Sequence, residues 1–108
     1  MLFRSNKKAA GFLSALSCPI IYYLVRKDIG SRKGADFIRD LLRLVSVVEV
    51  NRAVLEKGLA LETHDFEDGI QIACAESCHA DYMITRDPSG YKKISIPVLS
   101  PAEYLATF

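Results

Sequence analysis

The spacing of apolar positions changes several times along the chain, and each change marks an element. Gly11-Phe12-Leu13-Ser14-Ala15-Leu16 is a short apolar run that reads as a buried strand. Pro19 suits the first turn of a following helix, where its missing N–H costs nothing. Ile20, Ile21, Leu24 and Val25 form that helix's apolar stripe, and Gly30 ends it. Ser31 is an N-cap candidate for the next helix, in which Phe37, Ile38, Leu41, Leu42 and Val45 recur at helical spacing while Arg39, Asp40 and Arg43 face out. Residues 45–50 are β-branched and short, as in a strand. Asn51 caps a helix carrying Val54, Leu55, Leu59 and Leu61.

The second half follows the same alternation. Asp65 starts a helix, with Asp68 three residues on at capping-box spacing. One stripe of that helix is Ile70, Ala73, Cys74 and Ser77, and another is Asp68, Ile72 and Ala75. A helix apolar on two sides packs against more than one neighbour. Tyr82-Met83-Ile84-Thr85 reads as a strand with Asp87 just past its end, and Pro88-Ser89-Gly90 as a turn. Residues 94–99 form the last strand, and Ser100 caps a terminal helix with Pro101 at its first position. Strands alternating with helices predict an α/β fold with about four short parallel strands and five or six helices. The 108 residues make one domain, residues 1–108.

Composition is ordinary for a globular chain, with half the residues apolar and a quarter charged. The net charge of +1 hides an asymmetry: residues 1–54 carry ten Lys/Arg against four Asp/Glu, and residues 55–108 four against nine. Halves of opposite sign can neutralise each other across one fold, or set a basic surface for a polyanion beside an acidic site for a cation. Three cysteines, Cys18, Cys74 and Cys78, do not make a disulfide framework. Cys74, Cys78 and His79 are half of a metal pattern at most, with His64 the only other histidine. Arg4, Lys7 and Lys8 before the uncharged residues 9–25 resemble a signal peptide. Pro19 interrupts that stretch, however, and it is short for a membrane span. It reads instead as strand then helix, and the expectation is a cytoplasmic protein with no membrane partner.

In a parallel sheet, ligands bind beyond the carboxyl ends of the strands. Asp87 lies there, and Asp68 sits in the first turn of a helix, where a carboxylate is also a simple capping group. Two converging carboxylates suit Mg²⁺ or Mn²⁺, ions that activate water and stabilise charge on a phosphate. Thr85 stands near the same edge, and Arg86 is within reach of a phosphate. Glu62, Asp65 and Glu67 are read as solvating the helix start.

Residues 65–71 (Asp-Phe-Glu-Asp-Gly-Ile-Gln), residues 80–87 (Ala-Asp-Tyr-Met-Ile-Thr-Arg-Asp) and the closing residues 96–105 resemble the C-terminal half of a PIN domain. Leu13-Ser14-Ala15-Leu16 with Ile21-Tyr22-Tyr23-Leu24 resembles that family's second strand and next helix, and the likeness covers residues 10–105. The resemblance implies a three-layer α/β sandwich with a mostly parallel sheet, in the strand order 3-2-1-4-5. It also implies a metal-dependent ribonuclease of the toxin–antitoxin kind, acting on single-stranded RNA and held by an antitoxin-like protein. Asp68 and Asp87 take the places of metal-binding, catalytic acids, with Thr85 as an accessory group. The family's opening strand with its Asp-x-Asn motif has no match in residues 1–8, and the slot for a further acid near residues 19–21 holds none.

The expectation is therefore a degenerate or N-terminally truncated hydrolase, binding Mg²⁺ or Mn²⁺ weakly, with little or no activity. Its rival is a non-catalytic interaction module or toxin remnant. A third reading has an upstream fragment or a second chain supply the missing central strand. With that strand gone, residues 12–16 and 82–85 would lose ladder partners, which predicts a homo-oligomer.

Overall fold

A computed structural model of the chain describes residues 2–5, 10–63, 65–91 and 94–107. The elements run β1 (Leu2–Ser5), β2 (Ala10–Ser14), α1 (Ser17–Leu44), β3 (Ser46–Val48), α2 (Arg52–Ala60), α3 (Phe66–Ser77), β4 (Tyr82–Ile84), a 3₁₀ turn (Pro88–Tyr91), β5 (Val98–Leu99) and α4 (Pro101–Thr107). Helix α1 breaks at Gly30 (φ 85°, ψ 166°), a backbone region that L residues with a Cβ avoid. The two arms fold back on each other there, because Gly34 is buried against the Arg26 backbone and the Tyr22 ring. The break that Gly30 marks in the sequence is thus a turn between two helical arms.

Caps form at Asn51, Asp65 and Ser100, where the sequence places them. Asn51 accepts from the Val54 N–H (3.0 Å), Asp65 from the Glu67 N–H (2.9 Å), and Ser100 and Glu103 exchange reciprocal bonds across the start of α4. Helix α3 ends in a Schellman motif. His79 (φ 53°) donates to Glu76 O, and Ala80 to Ala75 O (3.0 Å), which turns the chain towards β4.

The sheet has five strands in the order β3-β2-β1-β4-β5. Strands β2 and β3 pair in parallel, as do β4 and β5, whereas β1 runs antiparallel to both its neighbours. The expectation of an empty central position is corrected here. Leu2–Ser5 fills it, with Leu2 opposite Leu13 on one side and Ile84 on the other. Reversing a strand still satisfies its ladder hydrogen bonds, so β2 and β4 have no open inner edge. The open-edge argument for self-association goes with it.

The core is built around α3. Residues 69–75 are all buried, and Val48, Val54, Ala80, Met83 and Tyr91 pack with them. The two-sided apolar pattern of α3 is borne out, except that Ser77 is exposed. Two other stripes are corrected. Phe37 and Leu42 on α1, and Leu55, Leu59 and Leu61 in and just after α2, remain exposed although they recur at helical spacing. Amphipathic spacing says which side of a helix is apolar but not whether another element covers it.

Helices α2 and α3 meet backbone to backbone at Gly58 and Gly69. A Cβ on Gly69 would collide with the Gly58 carbonyl oxygen and crowd the Thr63 hydroxyl. Gly69→Ala is therefore expected to destabilise the protein by about 1–3 kcal/mol, the usual cost of overpacking. A urea titration should show a lowered midpoint with an unchanged slope.

Candidate functional site

The start of α3, the end of β4 and the first turn of α1 enclose a cleft of about 230 Å³ lined by Ser17, Ile20, Ile21, Asp65, Glu67, Asp68, Gln71, Thr85 and Tyr91. Asp68 faces it because α3 is pinned to α2 one residue later, at Gly69. Rather than completing a capping box, Asp68 accepts at Oδ1 a hydrogen bond from the Tyr91 hydroxyl (3.0 Å). Thr85 directly follows β4, its N–H donating to Leu99 O (2.9 Å), and so stands at the carboxyl edge of the sheet. Asp65 and Glu67 also line the cleft, besides serving the helix start.

The structure brings Asp68 and Thr85 into one cleft but leaves Asp87 outside its lining. Asp87 is exposed, and its N–H donates to Thr85 Oγ1 (3.2 Å), so the loop after β4 curls over its own threonine. Arg86 faces a different groove, of about 860 Å³, beside Ile21, Leu24, Val25 and α4.

The sequence reading missed a polar floor beneath the cleft. Ser14 is fully buried at the end of β2, its hydroxyl 3.1 Å from that of Ser17, and it accepts from the Ser17 N–H. Gln71 Nε2 donates to Ser17 Oγ (2.9 Å), while Gln71 Oε1 is buried with no hydrogen-bond partner. One signal was available, since Gln71 lies three residues after Asp68 and so on the same helix face. Nothing local marked Tyr91, which the 3₁₀ turn delivers from residues beyond β4.

The donor set does not fit a tightly held divalent ion. Mg²⁺ and Mn²⁺ want several hard oxygen ligands in near-octahedral array. Here one oxygen of Asp68 is already engaged by Tyr91, Asp87 lies off the cleft, and Ile20 and Ile21 form its wall by the helix after β2. No group of three or more His, Cys, Asp or Glu residues is placed to hold a metal among the described residues. Nor is the cysteine pattern a metal site. Cys74 is wholly buried, and burial, helped by nearby Cys78, pushes its thiol up to about 11. Cys78 Sγ donates to Ala75 O (3.5 Å), His79 serves the helix end, and His64 lies outside the described residues.

A protein-family model described as PIN domain matches residues 3–89, from β1 through the loop after β4. No curated protein and no solved structure matches the chain.

Burial first, then the charge and hydrogen bond of Asp68, then the charges of Asp65 and Asp87, all hold the Tyr91 phenol above its ordinary range near 10. A raised folded value means the stabilisation is whole below about pH 10 and is lost as pH climbs through the folded value. Spectrophotometric titration at alkaline pH should show a late-ionising tyrosine phase. Tyr91→Phe should remove that late phase.

Proposed function

The chain belongs to the PIN-domain family, and on that premise we propose that it is a degenerate metal-dependent ribonuclease with little or no remaining activity. The observation that carries the reading is the site edge of the sheet. The family resemblance puts an acid at the carboxyl end of a parallel central strand. Here the central strand runs the other way, so it is Leu2 that pairs beside the carboxyl ends of β2 and β4. The sheet as a whole is read as the centre of the family's three-layer sandwich.

Asp68 and Asp87 stay the candidate metal ligands, with Thr85 an accessory polar group, and Mg²⁺ or Mn²⁺ the ion they would hold weakly. A missing acid–base group commonly costs ~10²–10⁴ in rate. Single-stranded RNA is the substrate class consistent with the family. Arg26, Lys27, Arg32 and Lys33 on the exposed face of α1 supply the positive charge for its phosphates. Tyr23, half exposed, lies under Arg26 and Lys27 (5.5 and 4.5 Å to the ring centre), a surface on which a base can stack.

A second reading, a non-catalytic module that binds an antitoxin-like protein or another copy of itself, is favoured by a separate observation. The groove between α1 and α4 is apolar, and Leu24 and Leu105 stand exposed at its walls (56% and 76%). No helix among the described residues is long and apolar enough to cross a membrane, and the protein is read as cytoplasmic.

Incubation of single-stranded RNA with the protein and Mn²⁺, beside Asp68→Asn and Asp87→Asn, separates the readings. A trace of cleavage lowered by either substitution is the expected result. Robust turnover abolished by both would mean a complete site and sink the proposal, and cleavage untouched by both would assign it to a contaminant.

A further inference from the structure

The groove between α1 and α4, about 860 Å³ in volume, is larger than the cleft over Asp68. That volume lies within the ~300–1,000 Å³ of small-molecule sites. Its walls are aliphatic: Ile21, Leu24 and Val25 from the first arm of α1, Ile84 at the end of β4, and Leu105 on α4. Leu24 and Leu105 are largely exposed, so no described element covers this apolar surface.

Two charged side chains interrupt the lining, Arg86 and Asp28, and neither forms an ion pair with another described residue. Ile21 and Thr85 line both the groove and the cleft over Asp68, and Arg86 follows Thr85 directly. Arg86 therefore joins the groove at the end next to the cleft. Asp28 comes two helical turns after Ile21 on α1, about 10 Å along the axis. The groove thus has a cationic end, an aliphatic middle and an acid at the far rim. We propose that it binds an amphipathic carboxylate, of which an unbranched fatty acid is the simplest, with its head on Arg86 and its chain along Leu24 and Leu105.

The planar fork of a guanidinium matches a carboxylate with two parallel hydrogen bonds. The uncharged chain end passes Asp28, whose exposed carboxylate stays in water and repels a ligand bound the other way round. A second protein surface laid over the whole groove would have to desolvate both unpaired charges, whereas a narrow amphipath pairs one and leaves the other wet. The proposal does not rest on the nuclease reading. It competes with the protein-partner reading for the same groove.

The test is an amide-shift NMR titration of the whole chain with hexanoate, octanoate and decanoate, each below its micelle-forming concentration. Decanol (chain without charge), decyltrimethylammonium (chain with the opposite charge) and acetate (head without chain) serve as comparisons. Saturable shifts at Leu24, Val25, Ile84, Arg86 and Leu105 are expected. Affinity should rise by about two- to fourfold for each methylene that enters the groove. Arg86→Gln should weaken decanoate about three- to fivefold, the scale of an exposed ion pair, and leave decanol unchanged. Leu24→Asp should abolish decanoate binding, and Asp28→Asn should preserve it. All three positions are exposed, so the substitutions leave the core untouched.

Equal affinity for decanoate and decyltrimethylammonium would reduce the groove to a generic apolar patch and overturn the proposal. Undiminished decanoate binding in Arg86→Gln or Leu24→Asp would do the same, as would its loss in Asp28→Asn. Light scattering on the same samples reads the competing occupant. A stable dimer whose groove amides ignore decanoate would give the groove to a second copy and defeat the proposal. RNA cleavage reads out separately: robust Mn²⁺-dependent turnover would sink the degenerate-nuclease reading and leave these titrations to decide the groove's ligand.

Discussion

The close backbone approach of Gly58 and Gly69 is the contact on which the rest of the molecule depends. It lets α3 lie against α2 with no side chain between them, and it sits at the first turn of α3. From that fixed point residues 70–75 run through the centre of the core, and the Schellman turn at His79 passes the chain directly to β4. Displacing α3 would move Asp68, Gln71 and the packing of Met83 together, because a close-packed interior transmits rather than absorbs a shift.

The reversed central strand is the second constraint, and it separates stability from chemistry. A sheet needs the centre filled, because unpaired buried backbone groups are expensive. Either strand direction meets that need. Only one direction would put a strand's carboxyl end beside those of β2 and β4, where a catalytic acid would belong. The chain keeps the five-strand order with β1 running the other way, and the site edge is left with Asp68 and Thr85 in the cleft and Asp87 beside it.

Beneath the cleft lies a set of neutral groups that hold one another. Ser14, Ser17 and Gln71 form a buried polar chain linking β2, α1 and α3, and Tyr91 ties the far loop to Asp68. Such links are specific because each buried group needs a partner, and they leave a single amide oxygen over. Meanwhile Asp65, Glu67 and Asp68 give the cleft a negative field near the positive end of α3. The acids at the helix start therefore stabilise it as first-turn carboxylates.

The amino-acid sequence by itself determined the local events. Asn51, Asp65 and Ser100 cap helices because a side chain two or three residues from an unsatisfied N–H reaches it in any fold. Gly30 breaks α1 because the backbone angles there exclude a Cβ, and two apolar stripes on α3 mark a helix buried from both sides. That Asp68 faces the loop after β4 was legible from the carboxyl-edge rule for parallel sheets as well as from the family resemblance. Tertiary structure alone decided the direction of β1, since a ladder bonds equally well in both senses and four residues carry no directional code. It also decided that Phe37 and Leu59 lie uncovered, and that Tyr91 meets Asp68. These depend on which elements are neighbours in space, a property that no spacing along a single chain contains.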